Sequence, residues 1–334
     1  MATLYIASYG TDQTGIYVFG FDPLTAKFSF KKMILTEEVP AYLILWQNEL
    51  AACFKNGGGL QLFSLSENGA PSVSLPQPGI SYTHLDLSKN GLYLAAADYH
   101  QGATDLFKRE DGKLSKLDRL SHSGSGPDPV RQNKPYVHCV AFSPNASHLL
   151  AADLGSDLIR AFHYKNGKLE PDPKLTVSIR PGAGPRHLVF SKDGHFLYLV
   201  NELDNTVDVF KCEAGILRLL QTISCLNDPK SASTAGAIRL SQSEKTLIVT
   251  NRGCDSLAYF DRDLNTGRLA LLDIVSCKKH PRDAFILDDA FIFVAALEED
   301  ALQLFFLDEA KKEIRPSDAV VHVPKPVSLV VSPH

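Results

Sequence analysis

A pattern that recurs about every 40 to 55 residues constrains this chain more than any other feature. Each copy opens with an apolar strand that runs to a Ser, turns, and continues as a second apolar strand. The plainest copies are HLDLSKNGLYLAAAD from His84, HCVAFSPNASHLLAAD from His138 and HLVFSKDGHFLYLVNE from His187, with AIRLSQSEKTLIVTNR from Ala237 as a fourth. Divergent copies begin at Tyr42 (YLILWQNELAACF) and Arg282 (RDAFILDDAFIFVAA). The later half of each unit repeats as well, as in NTVDVFKCEAGILRLL and SLAYFDRDLNTGRLALL. Period-two alternation broken by Gly, Asn and Asp is the signature of strands and hairpins. No capped stripe of helical period is found.

Units of this kind fill the chain from near Pro40 to Val323 and leave both ends over. The tail PKPVSLVVSPH resembles the opening strand of a unit, and TLYIASYGTDQTGIYVFGFD resembles the second and third strands. Joined, the ends complete a further unit, close a ring and leave no exposed sheet edge. A linear solenoid would need capping repeats instead. The expected fold is all-β, a seven-bladed β-propeller with four antiparallel strands per blade. One blade is shared by the N- and C-terminal strands, and a single domain covers residues 1–334. WD repeats are excluded: no GH…WD pairs occur, and the one Trp, Trp46, is not at a blade end.

The length suffices for a large core, and 44% hydrophobic with 22% charged residues is ordinary for a globular chain. A formal net charge of −4 without a Lys/Arg run argues against nucleic-acid binding. MATLYIASYG has no basic leader region, and no apolar stretch is long enough to span a bilayer. The expectation is a cytoplasmic protein without membrane or nucleic-acid partners. Its six cysteines, which form no CxxC pair, are then buried reduced thiols. Oligomeric state is not readable.

Aligning the units on their shared Ser shows which residues converge. Five positions earlier stand Ala41, Thr83, His138, Arg186, Gly236, Arg282 and Val327. Equivalent positions in a rotational repeat share a height and a direction, so His138, Arg186 and Arg282 meet at one end of the channel. A second ring, at the end of the second strand, holds Asp98, Asp153, Asn201, Glu202, Asn251 and Arg252. An apolar strand running into a charge needs a partner or a ligand, because an unpaired buried charge is costly. Each residue also has a purely structural reading. Arg186 follows Gly-Ala-Gly-Pro and could cap a turn, His138 could be a satisfied core histidine, and Glu202 could simply pair with Arg186. His187, next to Arg186, should point away from it by alternation, and His84 aligns with His187. The long segment SHSGSGPDPVRQNK after the third blade is placed to cover a channel mouth.

GxSxG, GxxxxGK[ST], GxGxxG and HExxH are all missing, so neither a metal nor an organic cofactor is expected. A mouth lined by His138, Glu202 and Arg186 as catalytic residues, with Arg252, Arg282, Asn201 and Asn251 as substrate-binding residues, suits a small anion and attack by base-activated water.

The stretch from Pro181 to Phe210, PGAGPRHLVFSKDGHFLYLVNELDNTVDVF, resembles the signature of the propeller-type 6-phosphogluconolactonase family at GAGPRH, VNEL and TVDV. VHCVAFSPN, TNRGCDSLAYF, HPRDAFIL and LYIASYG extend the resemblance over essentially the whole chain. It implies hydrolysis of 6-phosphoglucono-1,5-lactone in the oxidative pentose phosphate pathway. Carboxy-muconate cyclases are similar and carry a comparable His, Arg and Glu cluster. Carried across, those roles fall on His138, Arg186 and Glu202, with Arg252 or Arg282 as a further cation. Two departures stand out: Lys192 where the family often has Pro, and LEEDALQ after a shortened turn in the last full unit. The rival readings are a lactone-forming cycloisomerase and a non-catalytic interaction propeller. The latter has no need of aligned His and Arg on its innermost strands.

Overall fold

The computed structural model describes residues 1–10, 14–66, 70–110 and 112–332. Seven sheets surround one channel, each meandering outward from an innermost strand. In blade 1 the innermost strand, Pro326–Ser332, pairs antiparallel with Ala2–Ser8, which continues into Gly15–Asp22 and Lys27–Leu35. The chain ends therefore close the ring as the split repeat predicts. Blades 2 to 7 open with Pro40–Trp46, Tyr82–Leu87, Val137–Phe142, Pro185–Phe190, Thr234–Leu240 and Pro281–Leu287. Six sheets have four strands. The fourth blade adds a two-residue strand, Val177–Ser178, beside its third strand Leu158–Lys165. The one helical turn among the described residues is a 3-10 turn over Leu297–Glu299.

The core is seven apolar slabs, one between each pair of neighbouring blades. Leu197 and Leu199 face Leu150 and Ile159 of blade 4, while Tyr198 and Val200 of the same strand face Ile238 and Val249 of blade 6. Both faces of the second strand are buried, which is why FLYLV reads as a continuous apolar run rather than an alternating one. The slab between blades 7 and 1 packs Phe293 and Leu302 against Leu4 and Phe19, so closure is by packing as well as by hydrogen bonds.

Each innermost strand also slips register once, near its start. The residue left unpaired is Ala41, Thr83, His138, Arg186, Arg282 and Val327 in six blades, and the pair Gly236–Ala237 in blade 6. These are the positions that align five residues before the shared Ser. A bulge inserts an extra residue and re-aims its side chain; in four blades, at Thr83, His138, Arg186 and Arg282, that residue lines the channel mouth, while Ala41 and Val327 pack into the core.

All six cysteines are unpaired, but they are not uniformly buried: Cys254 is exposed, and Cys212 and Cys277 are partly so. Among the described residues no helix is long and apolar enough to cross a membrane.

Candidate active site

The bulges and the residues just beyond the second strands open onto a cavity of about 260 Å³ at one end of the channel. The bulges contribute Thr83, His138, Arg186 and Arg282. Tyr9, Lys55, Tyr99, Glu202 and Arg252 come from the ends of second strands. His100 and Arg131 complete the lining. The aligned ring of His and Arg and the charges Glu202 and Arg252 thus share one pocket.

Among the described residues Glu202 is the only carboxylate there, and it is 2% exposed. Its Oε2 accepts from Arg186 Nη1 at 2.7 Å and is paired with Arg252 Nη2 at 2.9 Å, while Oε1 accepts from Arg131 Nη2. Burial alone would raise its pKa. The guanidinium charges of Arg186 and Arg252, with smaller contributions from His138 and Arg131, outweigh burial and hold it well below the usual carboxylate range. Arg186 also donates through Nε to Gly236 O at 3.1 Å and through Nη1 to His138 Nε2. Arg252 donates to the carbonyls of Thr234 and Ala235 at 3.2 and 2.7 Å.

His138 is a neutral imidazole. Burial, then the charges of Arg186, Arg282 and Arg252, depress its pKa, with only Glu202 opposing. A guanidinium can only donate, so Nε2 is the acceptor and the proton sits on Nδ1, which has no partner. Tyr99 packs edge-on against the ring with centroids 5.4 Å apart.

Lys55 and Arg282 differ from the other cations. Among the described residues neither has a carboxylate within ion-pair distance. Both instead lie over the Tyr9 ring, with Lys55 Nζ 3.6 Å and Arg282 Cζ 5.7 Å from its centroid. Among the described residues the site holds five cationic side chains, Lys55, Arg131, Arg186, Arg252 and Arg282, against one carboxylate. It can bind a multiply charged anion, polarise a carbonyl and present a neutral imidazole to a water.

The GAGPRH and NEL segments are two halves of one clasp. Glu202 N donates to Gly184 O at 2.7 Å and Leu203 N to Ala183 O at 3.0 Å. Gly184 has φ +69°, and a Cβ there would lie 2.5 Å from Leu203 Cγ. Asp157 fixes the loop by accepting from Gly182 N and Gly184 N.

Three expectations need correction. Asn201 and Asn251 do not reach the pocket. Each is the partner of a bulge-side residue, and its amide nitrogen turns away from the mouth: Asn201 to Thr206 and Asp208 of its own hairpin, Asn251 to Ser256 of its own hairpin and to Cys225 O just past the outer strand of blade 5. The next residues along, Glu202 and Arg252, line the mouth instead. His187 does not point away from the channel. The bulge at Arg186 breaks the alternation, and the His187 ring lies 5.1 Å from His138 and 5.2 Å from His84 across the axis. Tyr42 stacks on His84 at 4.1 Å, and Arg239 reaches from blade 6 to Tyr42 Oη and Asp283. Together these side chains floor the pocket.

Tyr9, Lys55 and Tyr99 were not anticipated, although each directly follows a second strand, as Glu202 does. Arg131 comes from the segment expected to cover a mouth. It is placed there by Gln132, which is fully buried and bonds Leu154 O and Asp157.

Comparisons with known proteins agree with this geometry. Residues 3–331 match the family described as lactonase, 7-bladed beta-propeller. The 6-phosphogluconolactonase of Bacillus subtilis (strain 168) is 31% identical over 97% of this chain and 97% of its own length. A 6-phosphogluconolactonase of Formosa agariphila is 28% identical over 81% of this chain and 78% of its own. The solved structure of a periplasmic gluconolactonase from Pseudomonas aeruginosa superposes with a TM-score of 0.91 at 30% identity, covering 99% of this chain and 98% of that one.

Proposed function

From the chain's membership of the seven-bladed β-propeller lactonase family, we propose that it hydrolyses 6-phosphoglucono-1,5-lactone to 6-phosphogluconate. The observation that carries the choice of a phosphorylated sugar is the excess of five cations over one carboxylate in the pocket. An uncharged lactone needs an oxyanion donor and a base, not Lys55 and Arg282 waiting unpaired on an aromatic ring.

In this reading Lys55, Arg131 and Arg282 take the phosphate, guanidinium forks gripping its oxygens at two points. Arg186 and Arg252 receive the lactone carbonyl and stabilise the oxyanion as C1 becomes tetrahedral. His138 takes a proton from the attacking water. The C1–O5 bond then breaks, and the proton goes to the departing ring oxygen. Glu202 is the weaker candidate base, since three guanidinium groups leave it little affinity for a proton. The same charges depress His138, and a bound phosphate dianion neutralises them, so the substrate raises the basicity of the imidazole it needs.

The chain acts as one lactonase domain over residues 1–334 and supplies 6-phosphogluconate to the oxidative pentose phosphate pathway. A cytoplasmic setting suits six unpaired cysteines.

The test is steady-state hydrolysis of 6-phosphogluconolactone and gluconolactone side by side, with the spontaneous rate subtracted. The phosphorylated lactone should be preferred, and Lys55→Met and Arg282→Met should each erode that preference. Equal kcat/KM for the two lactones would overturn the phosphate assignment. No rate above the spontaneous one with either would overturn lactone hydrolysis.

A further inference from the structure

On the face opposite the pocket, blade 4 brings two imidazoles and a carboxylate together. His148 precedes the second strand, Leu149–Asp153, and His163 lies on the third. Asp172 follows the fourth, Lys168–Pro171. The two rings lie side by side, with centroids 4.3 Å apart. Both Nε2 atoms aim at the same oxygen, Asp172 Oδ2, at 3.1 Å from His148 and 3.4 Å from His163. One ligand atom from each of the three falls within 4.8 Å of the others.

The surrounding hydrogen bonds orient this cluster. Ser147 Oγ donates to Asn145 Oδ1 at 2.6 Å, and Asn145 Oδ1 also accepts from Ser147 N. With the serine hydrogen so placed, Ser147 Oγ at 2.7 Å accepts the Nδ1–H of His148. In that tautomer the Nε2 lone pair of His148 faces Asp172 Oδ2 at 3.1 Å, and the two together can ligate a cation; in the other tautomer Nε2–H donates to the same carboxylate. Asp172 is held in place from behind, its Oδ1 accepting from Lys174 N at 3.0 Å. A hydrogen bond that fixes the tautomer of a ligating imidazole, and another that orients a ligating carboxylate, are what surround metal sites.

We propose that His148, His163 and Asp172 bind a divalent transition-metal ion of the zinc type. Tetrahedral zinc at about 2.0–2.1 Å from nitrogen and oxygen ligands sets those ligands roughly 3.3 Å apart, and the two separations from Asp172 Oδ2 bracket that spacing. Imidazole donors favour zinc, nickel or copper over magnesium or calcium. His163 is partly open to solvent, which leaves room for water as the fourth ligand. The ion ties together the second and third strands and the turn after the fourth, so it clips the outer half of blade 4. The site is separate from the lactone pocket and does not depend on its assignment.

The experiment titrates the full-length protein, stripped of metal by a chelator, with Co²⁺ and then with Zn²⁺. Co²⁺ should give the visible ligand-field bands of a tetrahedral ion at one equivalent, Zn²⁺ should displace it, and either should raise Tm. His163→Asn and Asp172→Asn should lose the bands. Ser147→Ala, which frees the His148 tautomer, should weaken binding by about tenfold or more. Cys254→Ser, which removes the exposed thiol, should change nothing. Because the altered side chains lie on the blade's rim, an unchanged metal-free Tm confirms that the variants fold. Wild-type protein without tetrahedral bands, or His163→Asn and Asp172→Asn variants that bind as tightly as wild type, would overturn the proposal. A Zn²⁺ ion located elsewhere by anomalous diffraction would do the same.

Discussion

Replacing Arg186 by lysine and by alanine separates charge from geometry at the centre of the pocket. The guanidinium reaches three acceptors at once: Glu202 Oε2, His138 Nε2 and Gly236 O. A lysine keeps the charge but has a single nitrogen to offer. Losing one charge-assisted contact costs about 1.5–3 kcal/mol, which is roughly 10- to 150-fold in kcat/KM. Arg186→Lys should fall in that range, and Arg186→Ala, which loses the charge too, below it. Folding should survive in both. Glu202 keeps Arg131 and Arg252, and removing a cation that is 3% exposed relieves a desolvation cost while leaving only Gly236 O and His138 Nε2 without that donor. The assay is steady-state hydrolysis of 6-phosphogluconolactone at a pH where spontaneous opening is slow, with circular dichroism and Tm as the check on folding. A folded Arg186→Ala protein with wild-type kcat/KM would sink the site assignment, and a fully active Arg186→Lys protein would sink the two-point grip.

Glu202→Gln should lower Tm, since breaking a buried ion pair costs about 3–5 kcal/mol, and should bind inorganic phosphate more tightly because the internal competitor is gone; unchanged phosphate affinity by calorimetry would remove Glu202 from that role. Stability should fall as the pH drops below about 6.5. Burial lowers the pKa of His138, His187, His84 (to about 3) and His122 (to about 4), so the unfolded chain binds protons that the folded one refuses. Burial raises Asp86 (to about 6), Asp204 and Asp283, which works in the opposite sense, but these three carboxyls do not offset the imidazoles, His148 and His280 being lowered by burial as well; a Tm flat between about pH 7 and pH 5 would contradict this balance. Gly184→Ala combines φ +69° with a Cβ pressed on Leu203, so a cost of about 1–3 kcal/mol is expected together with reduced turnover, and a variant of wild-type stability and rate would show that the GAGPRH–NEL clasp does not set the site.

The repeat was legible because seven copies of one strand pattern average out local noise, and because the two leftover ends fitted a single missing unit. The convergence of His138, Arg186 and Arg282 was legible for the same reason: rotation carries equal positions to equal heights. What alternation misjudged was local. A bulge has no composition of its own here, since the bulged residues run from alanine and threonine to arginine and valine. The step it inserts turned His187 inward against the period-two rule. The same one-residue offset separates Asn201 and Asn251, which bond within and between blades, from Glu202 and Arg252, which line the pocket. Shifting the second ring by one position would also have brought in Tyr9, Lys55 and Tyr99. No such shift finds Arg131. It lies outside every repeat, and only the buried amide of Gln132 beside it places it over Glu202.

A propeller's blades supply the frame, and the chemistry lies where the copies differ. At the bulge, the seven blades offer Ala, Thr, His, Arg, Gly, Arg and Val, and beyond the second strands they offer both signs of charge. Five cations in a buried mouth repel one another, and one carboxylate cannot neutralise them all. It holds Arg131, Arg186 and Arg252 by sharing its two oxygens, which keeps the empty site folded. In the proposed reading a phosphate dianion, with twice the charge and more acceptor oxygens, competes with Glu202 for Arg131 and relieves the repulsion among these cations. Arg186, turning to the lactone carbonyl, then loosens its hold on Glu202 and on the lone pair of His138. In that reading binding and activation of the base are one event, and a preference for the phosphorylated lactone would follow from the electrostatics of the pocket rather than from its shape.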